Sequence, residues 1–196
     1  MESIKQHSDE ELVAAYIKTK QQIYFNDIYN RYSNKIYAKC LFLLKNEDLA
    51  ENATHDIFIK LLLKISNFSN KSRFSTWVYS ITYNYCIDQI RKKDKMRTVE
   101  IEDFMLDSSN GSDDVEISDA EILELEIEKL EVLLDKISQN DKIILLMKYQ
   151  DEMSVKEIAE YYNASESAIK MRIKRSKERV RNMAKDYEKV NFISDE

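Results

Sequence analysis

Apolar residues recur every three or four positions through most of this 196-residue chain, the spacing that lines up one face of an α-helix. The first such run follows Ser8. Glu11, three residues on, completes the pattern of a capping box, in which each side chain satisfies a free backbone N–H at the helix start. Leu12, Val13, Tyr16 and Ile17 supply its apolar face. A longer run over residues 22–45 offers Ile23, Ile28, Tyr32, Ile36 and Leu43 for burial. A third, over 47–65, carries Ile57, Phe58, Leu61 and Leu62, and a fourth spans 74–97. Between the third and fourth, SNFSNKSR (66–73) has the Ser/Asn content of a loop.

The pattern resumes near residue 120 with a helix to about 137 and another over about 139–149. The segment 154–180 then reads as two helices joined by a tight turn. Ser154 and Glu157 form a second capping box, and Ile158, Ala159 and Tyr162 make an apolar stripe. Asn163 tolerates the left-handed conformation that ends a helix, and Ser165 caps the next one. That last helix has Ile169, Ile173 and Val180 on its inner face and Lys170, Lys174, Arg175 and Lys177 on its outer face. A short helix, a turn and a cationic helix suit the DNA major groove. The competing reading is a helical hairpin with a solvated charged face.

One glycine and no proline favour long helices over tight hairpins of strands, so the fold class is all-α. Cys40 and Cys86 sit in apolar helical patterns without CxxC spacing, which predicts reduced core thiols and no metal. The N-terminal MESIKQHSDEELV is polar and no apolar run reaches membrane length, which predicts a cytoplasmic protein without membrane insertion.

The net charge of -6 conceals a polarised layout. Residues 100–131 hold thirteen acids against one base, Lys129, and include the only glycine, Gly111. Residues 165–185 hold Lys170, Arg172, Lys174, Arg175, Lys177, Arg179, Arg181 and Lys185 against Glu166 and Glu178. A third cluster, RKKDKMR, covers 91–97. Two basic regions around an acidic middle predict two nucleic-acid contacts joined by a flexible linker that avoids DNA.

The helix FSTWVYSITYNYCIDQIRKK (74–93) crowds Trp77, Tyr79, Tyr83 and Tyr85 beside Asn84 and Asp88 and ends in bases. Aromatic rings stack on unpaired bases for about 1–3 kcal/mol each while cations meet phosphate, a combination suited to melted DNA. The plainer reading makes Trp77, Ile81 and Tyr85, at four-residue spacing, a core stripe, and for Trp77 it is the favoured one. Tyr79, Tyr83 and Asn84 do not all share that face, so some of them should be exposed.

Three blocks in order make the chain resemble the extracytoplasmic-function (ECF) sigma factors of bacterial RNA polymerase. DLAENATHDIFIKLLLKI (48–65) is similar to the family's helix that docks on the clamp helices of the polymerase β′ subunit. The aromatic helix is similar to its promoter-melting, −10-reading helix. NDKIILLMKYQDEMSVKEIAEYYNASESAIKMRIKRSKERV (140–180) is similar to its −35-reading domain.

The resemblance implies two small helical domains. Residues 1–97 would form a region 2-like helical bundle and 98–119 an acidic flexible linker. Residues 120–187 would form a region 4-like helix-turn-helix domain, and 188–196 a tail. Glu51, Asn52, His55, Asp56 and Phe58 would lie on the polymerase-docking helix, with a second polymerase contact at the β flap. Asn84 would help hold a base flipped from the −10 strand, with Asp88 one turn on. The loop carrying Phe68, Lys71 and Arg73 would form the pocket, and Tyr79, Tyr83, Arg91 and Lys92 complete the −10 set. Lys170, Met171, Lys174 and Arg175 would face −35 base edges, with Ser165 at the start of their helix. Arg172, Lys177 and Arg179 suit phosphates better.

The implied partners are core RNA polymerase, promoter DNA and an anti-sigma factor, with no cofactor and no catalysis by this chain. The acidic linker would thread toward the RNA exit path and be displaced by transcript. A conventional helix-turn-helix regulator, acting on duplex DNA without polymerase, is the rival reading. A metal phosphohydrolase built on His55 and Asp56 lacks further ligands, because the other histidine is His7 in the leading segment. A helical adaptor would leave the basic–acidic–basic layout without a cause.

Overall fold

A computed structural model describes residues 7–95 and 127–193, all of whose regular structure is helical. The expected linker, 98–119, lies outside them. The chain divides into two compact units, Met1–Asp103 and Phe104–Glu196.

Among the described residues the first unit packs four α-helices: α1 (Asp9–Thr19), α2 (Gln22–Leu44), α3 (Glu47–Lys64) and α4 (Phe74–Lys95). Ser8 and Glu11 form the expected capping box on α1, with Glu11 Oε2 accepting the Ser8 N–H at 2.7 Å. Two lysines, Lys20 and Lys45, take the left-handed conformation that ends α1 and α2, so the chain turns sharply there without glycine. Leu12, Ile28, Ile36, Ile57, Leu61, Phe74 and Val78 make the common core. Two residues expected inside are not: Ile23 at the start of α2 and Leu62 on α3 are exposed. Their spacing suits burial, but among the described residues both side chains stay exposed.

The second unit comprises α5 (Ile127–Lys136), α6 (Gln139–Leu145), a π-helical turn (Leu146–Gln150), α7 (Val155–Tyr162) and α8 (Glu166–Ile193). Ser138 caps α6 by accepting the Asp141 N–H at 3.2 Å. The π turn re-aims the chain so that both Met147 and Met153 point inward. The last helix continues to Ile193, into the stretch expected as a tail, because no glycine or proline stops it.

Candidate nucleic-acid and partner interfaces

In the first unit, α3 begins at Asn46, whose side chain accepts the Leu49 N–H at 2.8 Å. Ala50, Ala53, Thr54, Ile57 and Leu61 face inward; the small Ala53 and Thr54 leave no side-chain bulk on the packed face. Glu51, Asn52 and His55 are exposed. Phe58 is not: it packs on Tyr29, with ring centroids 4.5 Å apart, and edge-on to Phe25. It therefore belongs to the core rather than to a docking face. The carboxylate of Asp56 already accepts a hydrogen bond from the Tyr85 hydroxyl of α4, and Lys60 covers that tyrosine ring.

A second set of residues on α3 escaped the sequence reading. Leu49, Ile59 and Leu63 are exposed, Leu63 by 73 %. With Asn52 and Asp56 they alternate three and four residues apart, the seam of a helix that packs along another helix. The spacing was readable, but the core stripe of the same helix has the same period. Only burial tells which stripe is free.

At the N-terminus of α4 the Phe74 N–H donates to Glu10 Oε1 of α1 at 2.8 Å. Around this point Phe68, Phe74 and Trp77 form a ring cluster with centroids 5.3–5.6 Å apart, so Phe68 is half-buried. Lys71 and Arg73, on the intervening loop, are exposed.

Tyr79 and Tyr83 are a correction. Both point into the bundle, Tyr83 with 0 % exposure. The buried Lys39 of α2 donates to the Tyr83 hydroxyl at 3.3 Å and sits 4.5 Å from the Tyr79 ring centroid. A phenol with a buried cation across from it is held as core, and stacking on bases is closed to both tyrosines as folded. Of the three residues that could not all share the core face, Asn84 is the exposed one. It continues with Asp88, Arg91 and Lys92 as one polar stripe along the outside of α4.

Cys40 and Cys86 are free thiols, as expected, and both are buried. Cys86 donates to Cys40 across 3.7 Å, and that bond, with burial, pushes the Cys86 thiol up.

In the second unit the turn matches its sequence signals bond for bond. Ser154 and Glu157 cap α7 reciprocally at 3.2 and 2.9 Å. Asn163 sits at φ 51°, ψ 45°, and Ser165 Oγ accepts the Ala168 N–H at 3.2 Å to start α8. Ile158 of α7 and Ile169, Ile173 and Val180 of α8 are buried. Lys170 and Met171 stand out from the first turns of α8, Met171 by 46 %, with Lys174 and Arg175 half-exposed behind them.

Lys177, assigned to the outer face by the sequence pattern, is buried. The angular step from Ile173 carries it to the flank of the packed face. Arg172 and Arg179 do not stand free for phosphate either, because both turn to Asp141 of α6. That aspartate is 1 % exposed. It also accepts the hydroxyls of Ser176 at 2.8 Å and Ser138 at 2.9 Å. Its spacing from Ser138 is that of a helix cap, but nothing local announces its α8 partners, which lie more than thirty residues away.

Two family matches define a transcription initiation factor of the sigma-70 class. Sigma-70 region 2 matches residues 28–96 and Sigma-70, region 4 matches residues 127–180. The chain belongs to the ECF RNA polymerase sigma factors. It is 33 % identical over 176 residues to the ECF RNA polymerase sigma factor SigW of Bacillus subtilis, covering 87 % of this chain and 94 % of that one. It is 24 % identical to the ECF RNA polymerase sigma-E factor of Haemophilus influenzae, over 81 % and 86 % of the two chains. The fold is shared with CnrH, solved in complex with the cytosolic domain of CnrY. The TM-score is 0.64 at 15 % identity, over 92 % of this chain and 99 % of that one. It is shared also with RpoE of Bartonella quintana, solved with the anti-sigma factor NepR. There the TM-score is 0.61 at 19 % identity, over 82 % and 96 %. As a sigma factor the protein directs core RNA polymerase to promoters, a role the conventional-regulator reading does not supply. Among the described residues no helix is long and apolar enough to cross a membrane.

Proposed function

We propose that the first unit binds core polymerase through the exposed face of α3 and opens promoter DNA with α4, while the second unit reads the −35 element with α8. On α3, Glu51, Asn52, His55 and Asp56 meet cationic residues of the β′ clamp helices, and Leu49, Ile59 and Leu63 pack along them. The exposed apolar residues at alternating three- and four-residue spacing carry this reading, because an isolated soluble helix has no use for that seam.

On α4, Asn84 and Asp88 contact the separated −10 strand, Arg91 and Lys92 follow its phosphates, and Phe68, Lys71 and Arg73 border the base pocket. Extruding a base costs a few kcal/mol of stacking, which these contacts must return. Tyr79 and Tyr83 support that face from beneath. On α8, Lys170, Met171, Lys174 and Arg175 meet base edges, with Ser165 closing the helix start. The second polymerase contact is the β flap. Residues 1–97 and 120–187 form the two functional domains, joined by the acidic linker 98–119.

The chain does no bond-making chemistry of its own and acts in the cytoplasm. An anti-sigma factor covering α3 and α8 would hold it inactive, a reading supported by the structural likeness to RpoE bound to NepR. Reconstituted transcription with core polymerase on a randomised promoter library tests the whole assignment. Enrichment of a two-element promoter is expected. Specific duplex binding by the free protein, with no transcription on any template, would favour the conventional regulator instead.

A further inference from the structure

Arg172, Ser176 and Arg179 recur at four and three residues along α8, so they share one side of the helix. All three converge on the carboxylate of Asp141. Oδ1 receives the Ser176 hydroxyl at 2.8 Å and lies 3.5 Å from Arg172 Nε. Oδ2 receives the Ser138 hydroxyl at 2.9 Å and the Arg179 guanidinium. With 1 % exposure, this charge has no water to fall back on. Swinging Arg179 toward a DNA phosphate would take from this buried anion its hydrogen-bonded cation, which opposes the movement. Arg179, although 54 % exposed along its side chain, is thereby tethered.

We propose that Asp141 is a specificity-setting positioning residue, which keeps Arg172 and Arg179 on the protein side of the recognition helix. The −35 duplex is then met through Lys170, Met171, Lys174 and Arg175 alone. Phosphate contacts raise affinity for every sequence equally, whereas base contacts discriminate. Withholding two cations lowers general affinity for DNA and leaves selectivity to the outward residues. This inference rests on the assignment of α8 to the −35 element.

The test measures closed-complex binding by the full chain assembled on core polymerase, to a promoter duplex and an unrelated duplex, across a salt series. Each phosphate contact contributes about 0.9 to the slope of log affinity against log salt. D141N keeps the hydrogen-bonding shape of the side chain and removes the charge that holds Arg179 and attracts Arg172. It should steepen the slope by between about 0.9 and 1.8, strengthen binding to the unrelated duplex, and shrink the promoter preference. At 50 mM against 200 mM salt, one released cation amounts to about a 3.5-fold change in the ratio of affinities.

Adding R179Q to D141N should take back about 0.9, while R179Q in the wild-type background should change the slope by less than half of that. A merely structural aspartate would weaken binding when altered and would not steepen its salt dependence. A slope unchanged by D141N in a folded protein overturns the proposal. So does a full loss of about 0.9 from R179Q alone, in protein shown folded by circular dichroism, where Ser138, Ser176 and Arg172 still meet the buried aspartate. K174Q separates the two levels. If K174Q lowers the slope and R179Q alone does too, the Asp141 proposal fails by itself. If K174Q leaves both the slope and the promoter preference unchanged, the assignment of α8 to DNA fails and takes the proposal with it.

Discussion

Ser154 satisfies one free N–H at the start of α7, and Glu157 returns the bond to the Ser154 N–H. Removing such a cap typically costs about 1 kcal/mol. Ser154→Ala is therefore expected to lower the melting temperature of the second unit by about 4–8 °C, read by circular dichroism, while the first unit melts as before. Tyr85 offers a pH test. Burial, reinforced by its hydrogen bond to Asp56, raises its phenol from 10.0 to about 12. The folded state thus favours the protonated phenol. Its contribution to stability is complete below pH 10 and fades as pH climbs toward 12. Denaturant midpoints should fall across that window, and Tyr85→Phe should flatten part of the fall. Single residues were legible where their partner lies within a few positions, as at Ser8, Ser154, Asn163 and Ser165. Tyr79 and Tyr83 were not, because Lys39, which holds them, sits on a different helix.

Elements were legible to within a residue or two wherever the apolar period of a helix ran unbroken. The short helices and turn of the DNA-binding unit were read from their caps, which are local chemistry. Which face of a helix remains free was less legible. On α3 two stripes share one period, and packing buries Ala50, Ile57 and Leu61 while leaving Leu49, Ile59 and Leu63 outside. Leu63→Asp on the outer stripe is expected to weaken assembly with core polymerase by at least about tenfold, equivalent to about 1.4 kcal/mol. Gel filtration or fluorescence titration would measure it. Because Leu63 is 73 % exposed, the melting temperature should not fall with it. If assembly is unaffected, the seam is not the docking face.

For the whole molecule the charge layout carries the largest prediction. Thirteen acids over residues 100–131 are set between basic segments. An anionic linker lying along a nucleic-acid path would compete with the emerging transcript for the same cationic surface. Replacing half of those acids by Asn and Gln should change the ratio of abortive to full-length RNA several-fold in single-round transcription, with promoter affinity kept. An unaltered ratio removes the linker from the mechanism. The all-helical class, the helix caps, the reduced thiols and the basic–acidic–basic order followed from the sequence itself. Helical period, cap hydrogen bonds and charge order are all properties of neighbours along the chain. The tertiary structure alone decided that Tyr79, Tyr83 and Lys177 turn inward, that an apolar seam stays open on α3, and that Asp141 holds two arginines of α8. Each of those depends on which distant helix arrives beside a residue and removes it from water, and periodicity is blind to that.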